Sequence, residues 1–280
     1  MSKSKLTLRA LQDMKQGGRK IKMITAYDYP TALLVDKSPM DMILVGDSLG
    51  NVVLGYESTV PVTMDEMVHH TKAVVRGAKN TFVVADLPFM SYQVCIEDAV
   101  RNAGRLVKEA GADAVKLEGG APVAAAVRAI VAAGIPVMGH LGLTPQTATM
   151  LGGLKAQGRD ASAARSILAD AKLLEDAGAF SLVLEAIPAS LGEMVTKELT
   201  IPTIGIGAGP QCDGQVLVIH DILGLFDRFV PKFVKQYAAL GDAVSQALES
   251  YCLDVDSGEF PAAEHCYNMK RDELSKLMEG

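Results

Sequence analysis

Residues 81–118, TFVVADLPFMSYQVCIEDAVRNAGRLVKEAGADAVKLE, hold one complete strand–helix–strand unit. The β-branched run 81–86 ends on Asp86. Ile96, Val100, Ala103, Leu106, Val107 and Ala110 then recur at helical spacing and make one apolar face. Ala110-Gly111-Ala112-Asp113 marks a helix end turning into the next extended run, 114–118. Outward from this unit the same alternation repeats. Strand candidates precede it at 22–28 (KMITAYD) and 41–47 (DMILVGD), and follow it at 136–140 (PVMGH), 180–185 (FSLVLE), 202–207 (PTIGIG) and 215–220 (QVLVIH). Met64, Met67, Val68, Thr71, Val74 and Val75 form a second helical face, and Val234, Tyr237, Gly241, Val244, Leu248 and Tyr251 predict a last long helix.

Eight alternations of strand and helix predict an α/β fold, a parallel (β/α)8 TIM barrel. An open doubly wound sheet would favour a glycine-rich first turn, whereas the first turn here is Tyr27-Asp28-Tyr29-Pro30. The 280 residues suit one barrel domain, with 1–20 as a short N-terminal helical extension and 267–280 as a C-terminal tail. Leu6, Leu8, Leu11 and Met14 predict that first helix, and the basic N-terminus lacks the apolar core of a secretory signal.

Composition narrows the function classes. Hydrophobic residues make up 49% and charged residues 21%, which excludes bulk disorder. The longest uncharged apolar run, 129–139, is far short of the roughly 20 residues that span a bilayer, so no membrane partner is expected. A formal charge of −6 repels phosphate backbones and argues against nucleic acid. Cys95, Cys212, Cys252 and Cys266 are scattered with no C-x-x-C pair, and read as reduced thiols of a cytoplasmic protein.

In such a barrel, chemistry sits at the C-terminal ends of the strands. Asp28, Asp47, Asp86, Lys116, Glu118, His140, Glu185, His220 and Asp221 all fall there. Strand alternation puts Lys116 and Glu118 on one face and Val115 and Leu117 on the other. Val183 and Glu185 likewise oppose Leu182 and Leu184. The all-apolar faces suit packing against helices, so the ionisable residues are predicted to face the barrel mouth. Burying an unpaired charge costs several kcal/mol, so each needs a partner, a metal or a substrate.

Asp47, Asp86 and Glu118 end neighbouring strands, and three hard oxygen donors suit Mg²⁺ or Mn²⁺ better than zinc. Such a metal beside Lys116 suits a 2-keto acid, whose carbonyl and carboxylate chelate the ion while it stabilises an enolate. Lys116, two residues from Glu118, is expected to stay charged rather than form an imine. Glu185 across the mouth reads as a general base or as an ordinary cap or salt-bridge residue. The long connections 48–63 and 141–160 read as binding or covering loops. Gly205, Gly207 and Gly209 read either as a phosphate loop or as close packing, and His69 and His70 as solvated.

At these residues the sequence resembles the ketopantoate hydroxymethyltransferase family. The resemblance rests on MITAYDYPTA (23–32), ILVGDSLG (43–50), VVADLPFMSY (83–92), AVKLEGG (114–120), VMGHLGLTPQ (137–146), LEAIP (184–188) and IPTIGIGAGPQCDGQVLVIHDILG (201–224). It implies a Mg²⁺-dependent barrel, one ion per subunit. The implied reaction takes a hydroxymethyl group from 5,10-methylenetetrahydrofolate to 3-methyl-2-oxobutanoate and gives 2-dehydropantoate. By motif, the resemblance implies that Asp47, Asp86 and Glu118 surround the metal. Asp47, Ser48, Asp86 and Lys116 would then hold the keto acid, and Glu185 would accept a proton. It also implies a homo-oligomer, usually a decamer. Two alternatives remain at this level. One is a 2-keto or phosphoenol acid lyase or mutase of like architecture, which often carries a lid cysteine that 141–160 lacks. The other is a non-catalytic barrel, whose signature would be the loss of a site acid.

Overall fold

The computed structural model describes residues 4–226, 228 and 230–279. The repeats fold as strands β1 (Ile21–Thr25), β2 (Met42–Val45), β3 (Phe82–Asp86), β4 (Ala114–Lys116), β5 (Val137–Gly142), β6 (Ser181–Glu185), β7 (Thr203–Ile206) and β8 (Gly214–Leu217). The helices are α1 (Leu8–Gln16), α2 (Tyr29–Lys37), α3 (Leu49–Val52), α4 (Met64–Gly77), α5 (Ile96–Gly104) and α6 (Ala124–Ala132). After them come α7 (Ala161–Asp176), α8 (Ala189–Glu198), α9 (Ile219–Leu223), α10 (Leu240–Ser257) and α11 (Arg271–Met278). Each strand pairs in parallel with its sequence neighbour, and β1 closes the ring onto β8.

The alternation expected of a closed sheet divides the core into two layers. Met23, Met42, Leu44, Phe82, Val84, Met138, Val183, Ile204 and Val216 form one buried cluster inside the ring. Ile24, Ile43, Val45, Val83, Val115, Leu182 and Leu184 belong to the outer cluster with the helix faces. The short amphipathic helix α1, capped by the Thr7 side chain accepting from Ala10 N, packs Leu11 and Met14 onto the inner cluster. It thereby plugs the ring at the end opposite the chemistry.

Several boundaries differ from the periodic reading. β5 runs on through Gly142, where φ is +97° and an added Cβ would lie 2.2 Å from Glu185 O, so only glycine lets β5 hug β6. The strand expected over 215–220 stops at Leu217, and His220 and Asp221 lie on α9. The last helix starts at Leu240 rather than Val234, because the preceding stretch is tied to α9: Tyr237 N donates to Ile222 O at 2.7 Å. None of the residues of α10 is buried. No helix among the described residues is long and apolar enough to cross a membrane.

Candidate active site

β3, β4, β5 and β6 are consecutive in the ring, and each sends one ionisable side chain inward from its C-terminal end: Asp86, Lys116, His140 and Glu185. They continue the inward parity of Phe82 and Val84, Ala114, Met138 and Val183. Asp86 and Lys116 are partners in the β3–β4 register, and Lys116 Nζ lies 3.1 Å from Asp86 Oδ1. One further step beyond β4 brings in Glu118, whose Oε1 lies 3.3 Å from His140 Nδ1. On the other side of the ring, His140 Nε2 lies 3.3 Å from Glu185 Oε2. Strand parity would turn Asp47 away. It is delivered instead by the Gly46 turn after β2, with Asp47 N donating to Asp86 Oδ2 at 3.1 Å.

The long covering loop completes the cluster through Gln146, which is buried. Its amide Nε2 donates to Asp47 Oδ2 at 2.8 Å and to Leu87 O at 3.0 Å, and its backbone N–H donates to Glu118 Oε2 at 3.1 Å. Tyr92 Oη donates to Gln146 Oε1 at 2.6 Å and accepts the Glu118 N–H at 3.1 Å. Ser48 Oγ is 2.8 Å from the hydroxyl of the buried Tyr27.

Four carboxylates, Asp47, Asp86, Glu118 and Glu185, therefore share this mouth with two cations, Lys116 and His140. The imbalance shows in the proton affinities. Burial, then repulsion from Asp86 and Glu118, pushes the Asp47 carboxyl well above the usual carboxylate range. Burial also raises Asp86, against the pull of Lys116. Burial works against a charged Glu118, but His140 and Lys116 outweigh it and hold that carboxyl low. Burial and Lys116 both oppose a charged His140, yet Glu118 and Glu185 lift it to about 9, so it is an imidazolium at neutral pH. Lys116 is held as an ammonium by Asp86, Glu118 and Asp47 despite its burial.

These residues line a cavity of about 670 Å³, inside the range of sites for small organic ligands. Both long connections contribute to its wall, through Asn51 and Thr59 from the first and Leu143 and Leu154 from the second. Asp86 Oδ1 and His140 Nε2 are buried without an aligned hydrogen-bond partner among the described residues, so the approaches of Lys116 and Glu185 are charge contacts. Two formal negative charges in excess and a carboxylate oxygen, Asp86 Oδ1, with no aligned hydrogen bond among the described residues fit a divalent cation. Among the described residues no three His, Cys, Asp or Glu side chains converge as a ready metal cage. Glu118 is engaged by His140 and Gln146, Asp47 accepts the Gln146 amide and Asp86 faces Lys116, while Asp47 and Asp86 stay adjacent through the Asp47 N–H. A pair of carboxylates completed by water is an ordinary arrangement for Mg²⁺.

Other sequence candidates resolve differently. Asp28 is exposed and caps α2, with Oδ1 accepting from Thr31 N at 2.8 Å. His69 is exposed as expected, whereas His70 is half-buried with Nδ1 2.7 Å from Tyr27 O. Gly205, Gly207 and Gly209 are pressed against Cys212, Phe233 and Ala189, which favours close packing over a phosphate loop. Gln146, Tyr92 and Tyr27 escaped the periodic reading. Gln146 stood only as a polar residue of the covering loop and as the last residue of the motif VMGHLGLTPQ.

A sequence family described as ketopantoate hydroxymethyltransferase matches residues 5–263. The chain belongs to the ketopantoate hydroxymethyltransferase family. A 3-methyl-2-oxobutanoate hydroxymethyltransferase of Moorella thermoacetica is 65% identical over 265 residues, covering 95% of this chain and 98% of the relative. One from Heliobacterium modesticaldum is 62% identical over 273 residues, covering 98% and 99%. Among solved structures, phosphonopyruvate hydrolase in complex with oxalate and Mg²⁺ aligns with a TM-score of 0.61 at 13% identity, covering 100% of this chain and 98% of that one. A 2,3-dimethylmalate lyase of the PEP mutase/isocitrate lyase superfamily gives 0.59 at 16% identity, covering 97% and 94%. These structures share the barrel with the ketopantoate hydroxymethyltransferase family, and the likeness extends to the fold alone.

Proposed function

We propose that this chain transfers a hydroxymethyl group from 5,10-methylenetetrahydrofolate to 3-methyl-2-oxobutanoate, giving 2-dehydropantoate, with Mg²⁺ held by Asp47 and Asp86. The observation that carries this reading is the pairing of an anion-binding ammonium, Lys116, with a carboxylate-rich mouth and a cavity-facing Glu185. When bound, the divalent ion would act as a Lewis acid on the 2-keto carbonyl and make the C3 proton more acidic. Lys116 neutralises the carboxylate of the keto acid. Its crowding by carboxylates keeps it protonated, so it forms no imine, and borohydride with substrate present should leave no adduct. The Ser48 hydroxyl, oriented by Tyr27, supplies a further polar contact to the keto acid. Glu185 accepts the C3 proton, and His140 Nε2, 3.3 Å away, orients its carboxylate. Leu143 from the covering loop, buried in the cavity wall, limits water at the reacting carbon. The C3–H bond breaks and a C3–C bond forms to the one-carbon unit; both C–N bonds of that unit break, water supplies its hydroxyl, and tetrahydrofolate leaves with the C3 proton and one proton from water on its two nitrogens.

The test is tetrahydrofolate release in the presence of the keto acid, with and without Mg²⁺. Release that needs both is expected, and its absence would overturn the reading. A second measurement isolates Glu185: proton exchange at C3 in D₂O, followed by NMR without folate. Glu185→Gln should lose exchange and turnover together. Wild-type exchange rates with lost turnover would move Glu185 to the folate side of the reaction.

A further inference from the structure

The keto-acid groups occupy the arc of the mouth formed by β2 to β6, and a small branched acid fills only part of the 670 Å³ cavity. The far wall, made by β7, β8 and α9, carries a carboxylate that this chemistry leaves unused. Asp221 is 7% exposed, lines the same cavity, and has no hydrogen-bond or ion-pair partner among the described residues. It does not cap α9, whose N-terminus at Val218 has no side-chain cap. Burial alone, with nothing opposing it, pushes its carboxyl up to about 6. Its carboxylate opens onto the cavity, so a ligand there that brings N–H donors can satisfy it, which an anionic keto acid cannot. Around Asp221 the wall is apolar, through Ile206, Leu217 and Phe233. At the cavity rim stand Lys155 and Lys232, both exposed and neither ion-paired among the described residues.

We propose that Asp221 anchors the bicyclic head of the folate co-substrate, accepting the two parallel N–H groups of its 2-amino-4-oxopyrimidine edge, while Lys155 and Lys232 receive the carboxylates of its glutamate tail. The inference rests on the transferase reading and deepens it. An acceptor-only carboxylate matches the donor–donor edge of a cyclic amidine as a fork matches a fork. The flat ring faces suit the apolar wall, and an anionic tail suits Lys155 and Lys232, which outnumber the one exposed acid of the cavity lining, Glu57. The one-carbon unit, between head and tail, then faces the keto acid across the cavity.

The test is calorimetric binding of tetrahydrofolate to the full chain with keto acid and Mg²⁺, alongside its 2-desamino analogue and tetrahydropteroate, which lacks the glutamate. Asp221→Asn should weaken tetrahydrofolate about tenfold to a hundredfold, the range for a lost charge-assisted pair. The keto-acid KM should stay within about twofold, a split that general misfolding would not produce. The desamino analogue should bind the wild type as weakly as tetrahydrofolate binds the variant, and the variant should no longer distinguish the two. Lys155→Gln with Lys232→Gln should erase the preference for tetrahydrofolate over tetrahydropteroate, and this arm stands even if Asp221→Asn fails to fold. If the wild type binds tetrahydrofolate and Asp221→Asn binds it equally well, the assignment of Asp221 is overturned while the transferase reading survives. If the wild type neither binds nor releases tetrahydrofolate, both fall.

Discussion

Lys116→Met removes the cation at the centre of the acid cluster while keeping the length of the side chain. Lys116 is 3% exposed and 3.1 Å from Asp86 Oδ1, so the substitution leaves a buried carboxylate with its main counter-charge gone. Breaking a buried pair in this way costs about 3–5 kcal/mol. In a chain of this size each kcal/mol moves the melting temperature by roughly 2–4 °C, so a fall of about 10 °C is expected without divalent metal. The loss should depend on pH, with a sign set by Asp47 and Asp86. Their folded pKa values already lie above the usual carboxylate value. A group raised in this way favours the folded state at low pH and weakens it as pH rises through the folded value. The variant, lacking the ammonium, raises them further, so its deficit should grow from about pH 5 to pH 8. Mg²⁺ should restore part of the loss and raise the variant's melting temperature more than the wild type's, because the variant mouth holds more unbalanced negative charge. Scanning calorimetry at the two pH values, with and without MgCl₂, reads all three effects. A metal-free variant melting within roughly 2 °C of wild type at pH 8 would refute the buried-charge argument.

Gln146→Ala strands Leu87 O and Asp47 Oδ2 at about 1–3 kcal/mol for each unsatisfied group and leaves Tyr92 Oη with the Glu118 backbone alone, so the covering loop should open more often. Limited trypsinolysis after the exposed Lys155 should then run faster, and an unchanged rate would count against Gln146 as the loop anchor. Burial opposes a charged Glu175, but Lys172 and the N–H groups of Thr200 and Ile201 hold its carboxyl down to about 2. A depressed pKa contributes stability above the unfolded value of about 4.3 that is lost as pH falls through the folded value. Glu175→Gln should therefore melt lower than wild type at pH 7, with the gap closing toward pH 2. A gap that persists there would assign its cause to packing instead. Val244, Leu248, Tyr251 and Val255 form an exposed apolar face on α10. With the homo-oligomer implied by the family, this face predicts self-association, and sedimentation velocity showing only a 29.6 kDa species would refute it.

The barrel and half of its mouth are written in local periodicity. A side chain at an inward position stays inward for the length of a strand, so Asp86, Lys116 and Glu185 could be placed by counting in twos from Val84, Ala114 and Val183. The same counting fails wherever the chain leaves the strand. Asp47 reaches Asp86 through a turn that reverses its parity, and Asp28, equally polar and equally near a strand end, is a helix cap. The start of α10 at Leu240 was hidden because the Tyr237 and Ala238 N–H groups donate to Ile222 O, which competes with helix for the preceding residues. Gln146 was beyond reach for another reason. Its partners Leu87, Tyr92 and Asp47 lie 59, 54 and 99 residues away along the chain, and they meet only because the closed ring brings β2, β3 and the covering loop to one rim. That no group among the described residues pairs with the Asp221 carboxylate is likewise a tertiary fact, since a sequence shows a carboxylate but not whether anything answers it. Periodic burial is decided residue by residue along the chain, and the sequence carries it. Polar satisfaction at a barrel mouth is decided by groups from many strands at once, and only ring closure assembles them.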